Sequence, residues 1–200
     1  MTARRGAIRV APLTGAALED ALSDVARLRI EVFRSYPYLY DGDLGYERRY
    51  LQTYRDSAGA VLVAAHDGDT LIGAATGTPM RDHADDFAAA FDGQGHDLDD
   101  IFYCAESVLL PAYRGRGLGH AFFDAREDHA RALGFGHVAF CAVIRPDDHP
   151  LRPADYRPLD GFWRKRGYAP LAGAIARFDW KEPGQSHETG HELQVWIRQL

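Results

Sequence analysis

An apolar run, a glycine-rich loop, a helical repeat and a second apolar run follow one another between residues 101 and 144. Both runs have the length and composition of buried strands, and the repeat places Leu118, Phe122 and Leu133 on one helix face. A strand that is followed by a crossover helix returns to the sheet parallel to the next strand. These residues therefore predict a parallel crossover unit within an α/β (α+β) fold.

Further strands and helices are predicted on both sides of this unit. Apolar residues at intervals of three and four indicate a helix over Leu18–Phe33, and Asp67–Asp69 is a turn between two strands. The acidic segment Pro79–Asp100 is an insertion or lid. The remaining predicted strands are 7–11, 60–65, 70–76, 172–180 and 193–200, and the remaining helices are 46–54, 87–91 and 159–166.

Length and charge limit the function classes. The 200 residues fit one domain, expected at 1–200 with a core from about residue 8. With 23 basic against 29 acidic residues, the chain is not expected to bind nucleic acid through phosphate neutralisation. No apolar stretch has transmembrane length and no signal peptide is recognisable, so we predict a soluble, cytoplasmic protein without a membrane partner.

The loop Arg114–Gly119 combines three glycines and two arginines at the start of a predicted helix. Unpaired backbone N–H groups and the helix dipole attract an anion there, and glycines let it approach the backbone. The loop does not match the dinucleotide-binding fingerprint, which would need glycine at the position of His120. The alternative interpretation of the loop is a glycine-rich turn that binds no ligand. The predicted diphosphate-binding residues are Arg114, Gly115, Arg116, Gly117, Leu118 and Gly119.

The segment Leu109–Gly119 resembles the signature of the GNAT acetyltransferase superfamily, whose pyrophosphate loop follows the pattern Gln/Arg-x-x-Gly-x-Gly/Ala. Phe162–Tyr168 resembles the end of a later helix in that family. The resemblance extends from about Ile8 to the C-terminus. It implies a mixed, mostly antiparallel central sheet flanked by helices, with splayed parallel fourth and fifth strands.

That resemblance implies an N-acetyltransferase that moves an acetyl group from acetyl-CoA, without a metal, to a primary amine of a small molecule or peptide. The amine attacks the thioester directly, and a backbone N–H of Val108 or Leu109 stabilises the oxyanion and pairs with the pantetheine arm. The acceptor is expected between the loops Arg34–Tyr46 and Arg145–Pro158. Relatives often form homodimers.

Glu106 is the candidate general base, because a carboxylate within an apolar strand is costly unless it has a partner or a task. The alternative is a structural glutamate paired with Arg145 or another arginine. Many relatives use a tyrosine of the later helix as general acid, but Trp163 occupies that position here. Tyr156 and Tyr168 are therefore the candidate acids, and packing is the alternative for both.

Two other functions are compatible with the sequence. His187 and His191 belong to an H-E-x-x-H pattern typical of zinc hydrolases, although the flanking residues and Gly190 favour a loop over the required helix. A non-catalytic coenzyme A sensor would keep the glycine-rich loop and lack turnover.

Cys104 and Cys141 lie in strand-like runs, where cysteine is usually a buried hydrophobe.

Overall fold

The computed structural model describes residues 7–83 and 87–200. Residues 1–6 lie outside this description, and so do residues 84–86 of the predicted insertion. The strands are β1 (Ile8–Leu13), β2 (Val61–Asp67), β3 (Thr70–Pro79), β4 (Ile101–Tyr103), β5 (Ser107–Leu109), β6 (His137–Val143), β7 (Ala169–Trp180) and β8 (Thr189–Gln199). The α-helices are α1 (Gly15–Phe33), α2 (Leu44–Tyr50), α3 (Gln52–Asp56), α4 (Leu118–Ala132) and α5 (Asp160–Lys165).

The strands form one mixed sheet in the order β1-β2-β3-β4-β6-β8-β7, with β5 also paired to β3. All described pairs are antiparallel except β4 with β6, which are parallel and connected through α4. The predicted crossover unit and the mostly antiparallel sheet are both confirmed. Within the described residues, short 3-10 helices lie at Met80–His83, Ala88–Phe91, Leu98–Asp100 and Pro111–Tyr113.

Helices cover both faces of the sheet because successive strand residues point to opposite sides. In β2, Val61 and Val63 belong to the core beneath α4, whereas Leu62 packs with Leu18 and Val25 of α1. Each buried side chain of this kind contributes roughly 1.5–3 kcal/mol of burial free energy. The two cores fix α1 and α4 on opposite sides of the strands that carry the candidate site.

The prediction of one continuous strand over 101–110 is wrong. Ala75 pairs with Ser107 and Thr78 with Tyr103, so two residues of β3 lie opposite three residues between β4 and β5. The extra residue makes a β-bulge, which bends the strand and interrupts the ladder. Glu106 lies in this interruption and not within a regular strand.

Two further element boundaries differ from the prediction. The helix predicted over 46–54 is the pair α2 and α3, which begins earlier because the Asp43 side chain accepts hydrogen bonds from the N–H groups of Gly45 and Tyr46. The two final strands are longer than predicted and pair with each other, with an irregularity between Pro170 and Ile175.

Candidate active site

The parallel strands β4 and β6 separate shortly after they begin to pair. Their ladder joins Ile101–Tyr103 to His137–Ala139 and continues only to the bond from the Cys104 N–H to the Ala139 carbonyl. Beyond this point β5 pairs with β3, while β6 remains paired with β8. A gap therefore opens between β5 and β6, and its edges carry backbone groups that the sheet does not use.

A buried arginine of α4 stabilises the bulge at the start of this gap. Arg126 donates hydrogen bonds from Nη1 to the carbonyls of Thr76 and Glu106, each at 3.1 Å, and from Nη2 to the Ser107 hydroxyl at 2.9 Å. Its side chain is 1% exposed. Because both carbonyls belong to the bulge, Arg126 connects the strand interruption to the helix that follows the glycine-rich loop.

The register of β5 decides which backbone N–H groups face the gap. Thr76 donates to the Glu106 carbonyl and Leu110 donates to the Ile72 carbonyl, so the residue midway between them, Val108, faces β3. The backbone of the next residue, Leu109, points the other way. Of the two predicted oxyanion donors, Leu109 is thus the one directed toward the gap.

The glycine-rich loop lies beyond β5 and leads into α4. Gly115 and Gly117 adopt positive φ angles of 74° and 80°, and Gly117 is the N-cap of α4. Residues 114–117 are exposed, and no described residue accepts a hydrogen bond from the N–H groups of residues 115–119. The Arg114 N–H is used internally, since it donates to the Pro111 carbonyl. Five consecutive N–H groups at a helix start can therefore receive a diphosphate.

Both loop arginines have local contacts that leave them at the surface. Arg114 donates through Nε to the Leu109 carbonyl at 3.4 Å, and Arg116 donates through Nη2 to the Ala112 carbonyl at 2.9 Å. The Arg116 guanidinium also lies over the Tyr113 ring. Two exposed positive charges next to unused N–H groups fit an anionic ligand.

Glu106 is buried and has an arginine partner. Its Oε2 lies 2.7 Å from Nη1 of Arg29, and it also accepts longer hydrogen bonds from the Tyr50 and Tyr54 hydroxyls at 3.3 and 3.4 Å. Among the described residues its second oxygen, Oε1, has no hydrogen-bond partner although it is buried. One oxygen of the carboxylate is thus held in place while the other can accept a proton.

The same arginine also pairs with Glu47, a residue of α2 that is fully buried. Burial alone would lower the pKa of the Arg29 guanidinium, but the negative charges of Glu106 and Glu47 outweigh it and raise the pKa well above its ordinary value. Burial, followed by the charge of Glu106, raises the pKa of the Tyr50 and Tyr54 hydroxyls. One permanent cation is therefore shared by two carboxylates, and the tyrosines remain protonated donors.

A pocket of about 110 Å³ opens beside Glu106. Ala105 and Cys141 lie on opposite sides of the gap and both line it, so the pocket meets the point where the strands separate. Aromatic rings form most of its wall. They come from α1, the segment after it, α2, β4, β7 and the N-cap of the 3-10 helix Ala88–Phe91. These residues are Phe33, Tyr38, Tyr40, Tyr46, Tyr50, Phe87, Tyr103, Phe178 and Trp180.

Comparison with known proteins identifies this arrangement. A model of the acetyltransferase (GNAT) family matches residues 25–168. The chain belongs to the acetyltransferase (GNAT) family. The match includes the glycine-rich loop, the bulge and Glu106, so the resemblance inferred from the loop is confirmed.

Solved structures share the GNAT fold at low sequence identity. A GCN5-related N-acetyltransferase from Kribbella flavida is 18% identical, over 97% of this chain and 98% of that one, with a TM-score of 0.56. The yncA protein from Salmonella typhimurium, solved with acetyl-CoA, is 12% identical over 98% and 95%, with a TM-score of 0.60. The PaiA N-acetyltransferase from Thermoplasma acidophilum, solved with coenzyme A, is 12% identical over 97% and 99%, with a TM-score of 0.53. No curated protein sequence matches the chain.

The two tyrosines predicted as GNAT general acids lie away from this pocket. Tyr168 is 2% exposed and donates a hydrogen bond to Glu127 at 3.0 Å, within the core beneath α4. Tyr156 packs edge-on against Tyr36, with centroids 4.7 Å apart, on the outer loop. Neither is among the residues that line the pocket, and Trp163 packs against Phe140 and Trp196.

The two loops predicted to bind the acceptor contribute unequally. The first supplies Tyr38, Tyr40 and Tyr46 to the wall, whereas none of the described lining residues comes from residues 145–158. Arg145 instead donates hydrogen bonds to the carbonyls of Pro37 and Tyr38, both at 2.7 Å. The second loop therefore positions the first, and the end of β7 takes its place as a wall.

The zinc pattern lacks the helix that it requires. Strand β8 begins at Thr189, so His187 and His191 do not share a helix face. The His191 ring stacks on Trp180 with centroids 3.7 Å apart, and burial lowers its pKa. Within the described residues, no three His, Cys, Asp or Glu side chains group closely enough to hold a metal ion. Over the same residues, no helix has both the length and the apolar character needed to cross a membrane.

Arg29 is the main site residue that sequence reasoning missed. Leu18, Leu22, Val25, position 29 and Val32 are separated by alternating steps of four and three, so position 29 lies on the apolar stripe of α1. A charged residue at a buried stripe position requires a partner, and this signal could have identified Arg29. Glu47, Phe178 and Asp179 carried no comparable local signal.

Proposed function

We propose that this GNAT protein transfers an acetyl group from acetyl-CoA to a primary amine. One arrangement carries the proposal: β5 borders the gap, the unpaired N–H groups of residues 115–119 follow its end, and Glu106, whose Oε1 has no described hydrogen-bond partner, directly precedes its start. A long ligand anchored by its diphosphate at the loop and extended along β5 would bring its other end to the bulge. The pocket beside Glu106 would then hold the acceptor.

The residues present fit coenzyme A as a co-substrate. The N–H groups at the start of α4, together with Arg114 and Arg116, would bind the diphosphate. A Cβ built on Gly115 or Gly117 would meet no atom within 4 Å, which is consistent with open space over this backbone. The gap-facing backbone of Leu109 is placed to pair with an extended, amide-containing arm.

The acceptor must lose a proton to become a nucleophile. Glu106 Oε1 is the proposed acceptor of that proton, while Arg29, Tyr50 and Tyr54 hold Oε2. The amine nitrogen then forms a bond to the thioester carbon, and the Leu109 N–H is the proposed donor to the resulting oxyanion. When the C–S bond breaks, the nitrogen gives up the extra proton that it carries after the attack, the thiolate takes up one proton, and the amide and free thiol are released.

A thiol-release screen and calorimetry together test this proposal. Purified protein is titrated with acetyl-CoA and then assayed against small amines, amino acids, peptides and lysine side chains. We expect saturable acetyl-CoA binding and thiol release with at least one amine class. Binding without turnover across the panel would instead support the coenzyme A sensor, and absence of binding would contradict both functions.

A further inference from the structure

We propose that the acceptor is a compact primary amine with an apolar, preferably aromatic, body and no carboxylate group. The inference rests on the proposed function, because it takes the pocket beside Glu106 as the acceptor site. Beyond that function, the pocket residues select one chemical class of acceptor amine.

Pocket size sets the first limit. An engineered cavity of about 150 Å³ holds one benzene molecule. The pocket of about 110 Å³ is smaller than that cavity, so it encloses no more than one small ring or a short alkyl chain. An aminoglycoside or a folded peptide segment is too large to enter, although part of a longer molecule could protrude from the mouth.

The nature of the wall sets the second limit. Phe33, Phe178 and Trp180 present apolar surface to the pocket, and the buried ring of Tyr103 and the partly buried ring of Tyr38 add to it. Burial raises the pKa of the Tyr38 and Tyr103 hydroxyls, so both rings stay neutral at physiological pH. Neutral aromatic faces bind apolar bodies, and they also attract an ammonium group through cation–π interactions.

Charge sets the third limit. The only described cation that lines the pocket is Arg29, and it is already paired with Glu47 and Glu106. Two other cations near the segment 37–41 are engaged as well, because Lys181 pairs with Asp41 and Arg145 with Glu182. The pocket thus attracts an ammonium ion, and none of these cations is left to bind a substrate carboxylate.

Calorimetry with matched ligands tests the inference without requiring turnover. The protein with bound coenzyme A is titrated with 2-phenylethylamine, phenylalanine and cadaverine. Phenylalanine differs from the first ligand by one carboxylate, and cadaverine replaces the ring with a second ammonium. We expect 2-phenylethylamine to bind about tenfold or more tightly than either of the other two ligands. Phenylalanine brings its carboxylate close to the carboxylates of the pocket, and cadaverine lacks the contacts of an aromatic ring. Equal or tighter binding of phenylalanine or cadaverine overturns the inference.

Turnover distinguishes failure of this inference from failure of the proposed function. Thiol release confined to amino acids, polyamines or peptides refutes the inference and leaves acetyl transfer intact. The expected order of amine affinities without thiol release from any amine supports the ligand class and contradicts the enzymatic function.

Discussion

The Nη1 atom of Arg29 lies 2.7 Å from Oε2 of Glu106, and both side chains are buried. This ion pair joins α1 to the bulge between β4 and β5. It settles part of the question posed by a carboxylate in an apolar stretch, because Glu106 has the arginine partner expected of a structural residue. Its second oxygen is buried without a hydrogen-bond partner among the described residues, and it is the atom proposed to accept the proton of the amine.

Removal of the arginine should destabilise the protein strongly. Arg29→Met leaves Glu47 and Glu106 buried without a cation, and breaking a buried pair in this way costs about 3–5 kcal/mol. Urea unfolding measures the loss. Arg27→Met, on the same helix, removes an exposed arginine paired with Asp24 and should change the unfolding free energy by less than about 0.5 kcal/mol. Similar losses in the two variants would show that the buried pair is not important for stability.

Variants of Glu106 and Glu47 should distinguish a catalytic role of a carboxylate from a structural one. Both pair with Arg29, but only Glu106 lines the pocket. Glu106→Gln should lower the acetylation rate by about a hundredfold or more, because general-base catalysis contributes about 10² to 10⁴. Acetyl-CoA affinity should stay near the wild-type value, as measured by calorimetry. Glu47→Gln should retain most of the rate, and equal rates in the two variants would remove Glu106 from the mechanism.

Two glycines with similar backbone geometry test the diphosphate loop. Gly117 and Gly68 have φ angles of 80° and 61°, and a Cβ on either would meet no atom within 4 Å. Alanine at each position should cost about 1–2 kcal/mol, since side chains disfavour the left-handed region. Only Gly117→Ala should weaken acetyl-CoA binding, because Gly68 lies in the β2–β3 turn. Unchanged acetyl-CoA affinity in Gly117→Ala would place the ligand elsewhere.

Alkaline pH should destabilise the fold through its buried tyrosines. Burial, then the charge of Glu106, raises the pKa of Tyr54, so the folded state holds its proton when the unfolded state has lost it. Stability is thus fully present below the unfolded pKa of about 10 and falls as pH rises beyond it, by about 1.4 kcal/mol per pH unit per tyrosine. Urea midpoints for wild type and Tyr54→Phe should show a shallower decline in the variant above pH 10. Parallel declines would contradict this assignment.

The parts of the site that were predictable from sequence depend on local signals. Glycines beside arginines at the start of a helical repeat identified the loop, and its positive φ angles are a property of those residues themselves. The crossover unit followed from apolar periodicity over consecutive residues. Glu106 stood out because a single carboxylate interrupted an apolar run.

The parts that were missed depend on contacts between distant segments. The bulge arises from the pairing of β3 with two short strands, and no single segment encodes an extra residue. Tyr168 was a candidate acid because Trp163 takes the position of the family's tyrosine, and its hydrogen bond to Glu127 beneath α4 could not be read from the sequence. The gap-facing role of Leu109 in place of Val108 likewise depends on register.

The most direct test of the central claim is to quantify both products of one reaction. The protein is incubated with acetyl-CoA and an amine that supports thiol release, and free coenzyme A and acetylated amine are measured by mass spectrometry. We expect equal amounts of the two products, with the acetyl group on the amino nitrogen. Thiol release without N-acetylated amine would contradict the account.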